Sequence, residues 1–227
     1  MIYSRAIRFS RVEFALVIGI AFGLLIHLSF ASLFSASGDH GSVFANAQLT
    51  RLLTYELLVG SAVAVILRFN GWRLPHFNVY PTLGATGAGV LIFASGTLLF
   101  YACGFVARFV FGGGYDTHLH EESTLLVGST SLLIALVCVV NPLFEEMLVC
   151  GYVVGALRKR YGVIVAINFS AALRVALHLD QGAFAILWVG LIGLLCAYVY
   201  ARTRRLWPLV VAHMIHDFAV LSHLSFA

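Results

Sequence analysis

Charged residues make up only 11% of this chain, against about 25% in soluble domains, while 61% of its 227 residues are hydrophobic and the mean hydropathy is +0.96. So few polar side chains exclude a soluble enzyme or binding module. The net charge of +4 comes with no polar surface on which nucleic acid could dock, so no nucleic-acid partner is expected. Cysteine is scarce as well: Cys103, Cys138, Cys150 and Cys196 sit in apolar runs without a CxxC pair, which argues against a disulfide framework. Internal repeats, low-complexity tracts and long linkers are missing, so residues 1–227 read as a single integral membrane domain.

What is present is apolar sequence in lengths that match a bilayer. Residues 14–34, 52–67, 83–107, 125–140, 142–157, 163–179, 183–201 and 206–224 form eight apolar segments, near the 17 to 25 residues of a spanning helix. The chain is therefore expected to be all-α, a polytopic transmembrane helix bundle embedded in lipid. The first segment follows Arg5, Arg8 and Arg11 and resembles a signal peptide, but its 21 residues fit an uncleaved span. Residues 125–157 would make one helix about 50 Å long, too long for a single crossing, so Asn141-Pro142 is expected to break it.

Charge sets the topology, because Lys and Arg of short loops gather on the cytoplasmic side. If residues 125–157 make one net crossing, 11 basic residues fall inside and only Arg51 and Arg108 outside. That gives seven net crossings, with the N-terminus cytoplasmic. The connection at residues 108–124, with Gly112-Gly113-Gly114, Asp116, Glu121 and Glu122, suits the outer face by its acidity. Trp72, between the second and third spans with Pro75 and Pro81, reads as an aromatic anchor at the interface.

Ionisable groups inside spans cost a few kcal/mol each and are functional hypotheses by default. Seven gather late in the chain: Glu145, Glu146, Arg174, His178, His213, His216 and Asp217. Adjacent residues on a helix point about 100° apart, so one of Glu145 and Glu146 is expected to carry the chemistry; the competing reading is a solvated pair at a helix start. His213 and Asp217 are four apart and share a face, as do Arg174 and His178. A hydrogen-bonded structural histidine would look the same. Cys150, four after Glu146, is a possible nucleophile or zinc ligand but reads better as a small packing residue. His27 and Glu56 have no identifiable partner and read as local hydrogen-bonded features.

The order of these residues resembles the CPBP family of intramembrane proteases, which includes the type II CAAX prenyl endopeptidases. The family pattern is Glu-Glu-x-x-x-Arg, Phe-x-x-x-His and His-x-x-x-Asn or Asp. Here it reads Glu145-Glu146 with Cys150, then Arg174 to His178, then His213 to Asp217, and Gly190, Gly193, Tyr198, Leu206 and Trp207 resemble the flanks. The similarity covers residues 142–221. It implies hydrolysis of a peptide bond in a membrane-associated peptide or protein by an intramembrane endopeptidase of bacterial plasma-membrane type. By that resemblance Glu145 and His178 activate a water, His213 and Asp217 stabilise the oxyanion, and Glu146 and Arg174 support them.

Glu145, His178 and His213 would be the ligands if a zinc ion took part, and the spacing leaves a metal-free or a zinc route open. Two departures stand out: Cys150 where the family has Arg, and Arg174 where it has Phe. Arg174 is expected to restore the positive charge from the neighbouring helix by pairing with Glu145 or Glu146. The rival readings are a catalytically inactive relative acting as a binding or immunity protein, and an ion- or proton-coupled transporter that uses the same acidic and imidazole groups as a relay.

Overall fold

A computed structural model describes residues 10–34, 46–111 and 131–225, apart from the side chains of residues 110, 111, 183, 185 and 222–225. Arg5, Arg8, the glycine and acidic residues of the 108–124 connection and the first part of the fourth apolar segment lie outside the described residues. Within them every regular element is a helix. The order is α1 (Arg11–Ser32), α2 (Asn46–Phe69), a short 3-10 turn (Leu74–His76), α3 (Leu83–Phe111), α4 (Ser131–Glu145), a π-wound stretch (Glu146–Tyr152), α5 (Val153–Tyr161), α6 (Val163–Leu177), a second 3-10 turn (Leu179–Gln181), α7 (Gly182–Thr203) and α8 (Trp207–Ser225).

The break expected at Asn141-Pro142 does not occur. α4, the π-wound stretch and α5 run on as one 31-residue apolar rod, Ser131–Tyr161. Proline costs one backbone hydrogen bond and crowds the preceding turn. The helix nevertheless stays α-helical through Pro142 to Glu145, and the wider winding begins only at Glu146. Tilt lets a rod of this length fit a bilayer. Five helices among the described residues are long and apolar enough to cross a membrane, and Val163–Leu177 and Trp207–Leu221 are shorter apolar rods. Seven apolar rods thus replace the eight segments read from the sequence.

Apolar side chains point outward as well as inward, as a lipid environment requires. Leu83 is 95% exposed, and Leu91, Leu98 and Phe105 continue that outer face along α3. The 131–161 rod is the central one, with 44% of its apolar window buried, against 17–33% in the other long helices. Around it pack Val17, Ala21 and Phe22 of α1, Val63 and Leu67 of α2, Ala197 and Tyr200 of α7, and Leu209 and Val210 of α8.

Trp72 is not an interfacial anchor. It is 5% exposed, and burying an indole demands a partner for its N–H, which Glu13 of α1 supplies: Glu13 Oε1 accepts from Trp72 Nε1 at 3.0 Å and from the Tyr152 hydroxyl at 3.1 Å. This clamp ties α1 and the second connection to the π-wound stretch.

Helix directions follow from side-chain neighbours. Leu49 clusters with Ile134, Val137 and Cys138, whereas Gly60, three turns later, faces Phe144 at 3.4 Å from where a Cβ would stand. α2 and α4 therefore run parallel. α3 and α8 touch backbone to backbone at Gly89, where a Cβ would lie 2.7 Å from the Pro208 carbonyl, and Trp207 Nε1 donates to Thr86 Oγ1 at 2.9 Å beside it.

Candidate active site

The three motif-bearing helices bring their costly side chains to one place. Glu146 begins the π-wound stretch and is 1% exposed. Its Oε1 receives two donors, Arg174 Nη2 from α6 at 2.6 Å and His213 Nδ1 from α8 at 3.0 Å. The other ring nitrogen, His213 Nε2, lies 3.3 Å from Asp217 Oδ1 one turn on, and Asn141 Nδ2 donates to Asp217 Oδ2 at 2.9 Å. A continuous polar chain thus runs from Arg174 through Glu146, His213 and Asp217 to Asn141, crossing three times between helices that are otherwise apolar.

Glu145 stands at the end of this chain and is used differently. Its Oε2 is 3.7 Å from Arg174 Nη1, an ion pair too long for a hydrogen bond, and that oxygen is buried without a hydrogen-bond partner. The adjacent glutamates therefore differ in how they are held: each keeps a buried Oε2 without a partner, but Glu146 takes two donors on Oε1, whereas Glu145 has only the longer ion pair. Arg174, 6% exposed, bridges them. It fits between helices because α7 offers Gly193 opposite, where a Cβ would lie 3.3 Å from Arg174 Cδ and 3.4 Å from the Ala171 backbone.

His178 caps α6 at the point where the chain leaves the helix. It interacts electrostatically with Glu145, Arg174 and His213, so it belongs to the same cluster, although Glu145 and His178 are not directly hydrogen-bonded. Its Nδ1 is 3.1 Å from Gln181 Nε2 in the following 3-10 turn. That turn is held in place by α1, since Ser29 Oγ donates to Asp180 Oδ1 at 2.8 Å and accepts from the Asp180 backbone N–H at 3.1 Å. His216 lies against the Trp188 ring at 5.1 Å, a packing role. Cys150 is fully buried with its Sγ 4.0 Å from Arg174 Nη2 and from Ser170 Oγ, and all four cysteines are free.

Two participants were not anticipated. Asn141 appeared only as the residue before proline, yet it lies four before Glu145 on one helix face, the signal that would have included it. Glu56 of α2, expected to be a local feature, is 2% exposed, has a buried Oε2 without a hydrogen-bond partner, and interacts electrostatically with Glu145, Asp217 and His213.

Zinc does not suit the arrangement. Both nitrogens of His213 lie against carboxylate oxygens, at 3.0 Å from Glu146 and 3.3 Å from Asp217, so neither is turned toward an open position that a metal could fill. No group of three or more His, Cys, Asp or Glu among the described residues is disposed to hold a metal ion. What the cluster does provide is a carboxylate oxygen free to take a proton, an imidazole beside it, and fixed donors in surroundings from which bulk water is excluded.

Residues 127–219 match the family model described as type II CAAX prenyl endopeptidase Rce1-like. The membrane-peptidase candidate YdiL of Bacillus subtilis (strain 168) is 27% identical over 123 residues, which is 54% of this chain and 50% of that protein. The match thus spans half the length of that relative. No solved structure matches significantly. Both matches support the resemblance to the CPBP family read from the three motifs, and the long apolar helices support an integral membrane protein.

Proposed function

Taking as premise the match of residues 127–219 to the type II CAAX prenyl endopeptidase Rce1-like family, we propose that this protein is an intramembrane endopeptidase in which Glu145 activates the attacking water. The observation that carries this reading is the division between the glutamates. Glu146 is held by Arg174 and His213, while Glu145 Oε2, 3.7 Å from Arg174 Nη1, has no hydrogen-bond partner. Each carboxylate keeps an unpartnered Oε2, but Glu146 already carries two donors on its other oxygen and is the poorer proton acceptor, which leaves the role of base to Glu145.

In the proposed reaction Glu145 takes one proton from a water as its oxygen bonds to the scissile carbonyl carbon. The carbonyl π electrons move onto oxygen, and N–H groups of His178 and His213 stabilise the oxyanion; the 3.3 Å contact from His213 Nε2 to Asp217 is the longer of its two and the one easier to share. The C–N bond then breaks as Glu145 returns the proton to the leaving nitrogen, which regenerates the carboxylate. Glu146 and Arg174 act as positioning residues, and Asn141 holds Asp217. The substrate is a membrane-associated peptide or protein, and the basic clusters of the sequence support a cytoplasmic N-terminus.

The test is cleavage of a quenched fluorescent peptide bearing one apolar segment by purified protein in micelles. Glu145→Gln and His178→Ala are expected to lower kcat/KM by at least about 100-fold, the usual worth of a general base and of an oxyanion donor respectively, while thermal unfolding stays near wild type. Cleavage by both variants at the wild-type rate would end the proteolytic reading. Inactivity of the wild-type protein itself would favour an inactive relative that uses the cluster for binding.

A further inference from the structure

The proposed reaction leaves one buried ionisable group unused, and it comes from a helix outside the three motifs. Glu56 lies one turn before Gly60 on the same face of α2, and Gly60 abuts Phe144. Since α2 and α4 run parallel, with Leu49 beside Ile134 and Val137, Glu56 stands level with the turn of α4 that carries Asn141. Its electrostatic neighbours are Glu145, Asp217 and His213. Arg174 and His213, the cations of the cluster, are committed to Glu145, Glu146 and Asp217. The buried Oε2 of Glu56 thus faces the site without a donor from the protein.

A buried acceptor without a donor is costly, so a site that retains one is suited to a ligand that brings the missing N–H. A peptide cut inside a membrane brings such groups. Its backbone must leave the helix to expose the scissile bond, and each freed N–H then needs an acceptor where water is excluded. We propose that Glu56 is a substrate-binding residue whose free carboxyl oxygen accepts a backbone N–H of the extended peptide beside the scissile bond. The proposal rests on the proteolytic reading above and adds the α2 side of the substrate path.

The test compares Glu56→Leu with Glu56→Gln in the full chain. Each is assayed for cleavage of a quenched fluorescent peptide with a single apolar segment of about 20 residues. Each is also combined with Glu145→Gln, where binding of the uncut peptide is read by fluorescence anisotropy. Glu56→Leu is expected to raise KM and weaken binding by about 10- to 100-fold, the cost of leaving a buried N–H of the peptide without an acceptor, with the loss falling on KM more than on kcat. Glu56→Gln, which keeps an oxygen acceptor, should rescue most of that loss. Because Leu removes an unsatisfied carboxyl, its Tm should rise.

Wild-type affinity in Glu56→Leu overturns the proposal, as does a fall in Tm of several degrees, which would make Glu56 a structural residue. Equal damage by Gln and Leu also overturns it, since a group that must carry a proton behaves in that way. Cleavage with a KM indifferent to position 56 removes this inference and leaves the peptidase standing. Glu56-dependent binding without cleavage by the wild-type protein does the reverse, and a peptide neither bound nor cut counts against both.

Discussion

Removing the guanidinium of Arg174 tests whether the cluster is held together as described. In Arg174→Met the stem is replaced by a chain of similar length and the charge is lost. Arg174 and Glu146 are 6% and 1% exposed, and their contact of 2.6 Å is short and charge-assisted. Deleting one member of such a pair typically costs about 3–5 kcal/mol, because the other charge stays buried without its counter-ion. His213 still donates to the same Glu146 oxygen at 3.0 Å, so the lower end, about 3 kcal/mol, is expected here. Against a total stability of about 5–15 kcal/mol this is large.

Neutralising both partners in Arg174→Met/Glu146→Gln removes the stranded charge and should recover about 2 kcal/mol of the loss, a coupling that a double-mutant cycle measures directly. Equilibrium unfolding in mixed micelles, followed by tryptophan fluorescence, gives the four stabilities. An Arg174→Met cost below about 1 kcal/mol, the range of exposed pairs, would refute the reasoning. So would losses that simply add, since residues sharing no interaction behave that way.

Moving the charge back to the motif position, in Cys150→Arg/Arg174→Phe, is expected to retain peptide cleavage where Arg174→Ala abolishes it; a folded but inactive double variant would reject the exchange. Gly193→Ala inserts a methyl 3.3 Å from Arg174 Cδ and 3.4 Å from the Ala171 backbone, and should cost about 1–3 kcal/mol by overpacking, read as a drop in Tm beyond that of Gly19→Ala, whose added methyl meets nothing within 4 Å. Because His213 has no nitrogen free for a metal, cleavage should persist after dialysis against a chelator, with less than one zinc per chain by elemental analysis. Loss of activity that only zinc restores would reverse that conclusion.

The all-helical class was legible because apolar runs of bilayer length leave the backbone few other options. Likewise, residues 145, 146, 174, 178, 213 and 217 stood out because charge inside a span is conspicuous. The pairing of Arg174 across helices followed from the same cost. What could not be read were features set by neighbours in space. Pro142 looked like a break, yet the helix runs through it to Glu145 and on into the π-wound stretch. Trp72 matched an interfacial anchor in sequence but is claimed by Glu13, 59 positions earlier. Glu56 looked solitary because nothing in the sequence reports that α2 lies parallel to α4 with Gly60 against Phe144. For the same reason the unequal state of the two glutamates was not derivable from their adjacency.

That inequality also explains why two carboxylates occur where a hydrolytic reaction uses one base. A buried guanidinium and an imidazole nitrogen converge on one oxygen, and Glu146 Oε1 meets them at 2.6 and 3.0 Å. Glu146 holds both on one oxygen and leaves Oε2 unpartnered, yet a carboxylate that shares its charge with two donors is a poor proton acceptor, so a second carboxylate is better suited to the water. The requirement at Glu146 is then for a cation at a point in space rather than at a position in the chain. The guanidinium of Arg174 ends 4.0 Å from Cys150 Sγ, in the region that a long side chain from position 150 would enter. An Arg on the neighbouring helix therefore satisfies Glu146 from the other side of the same space, and Cys150 can remain small.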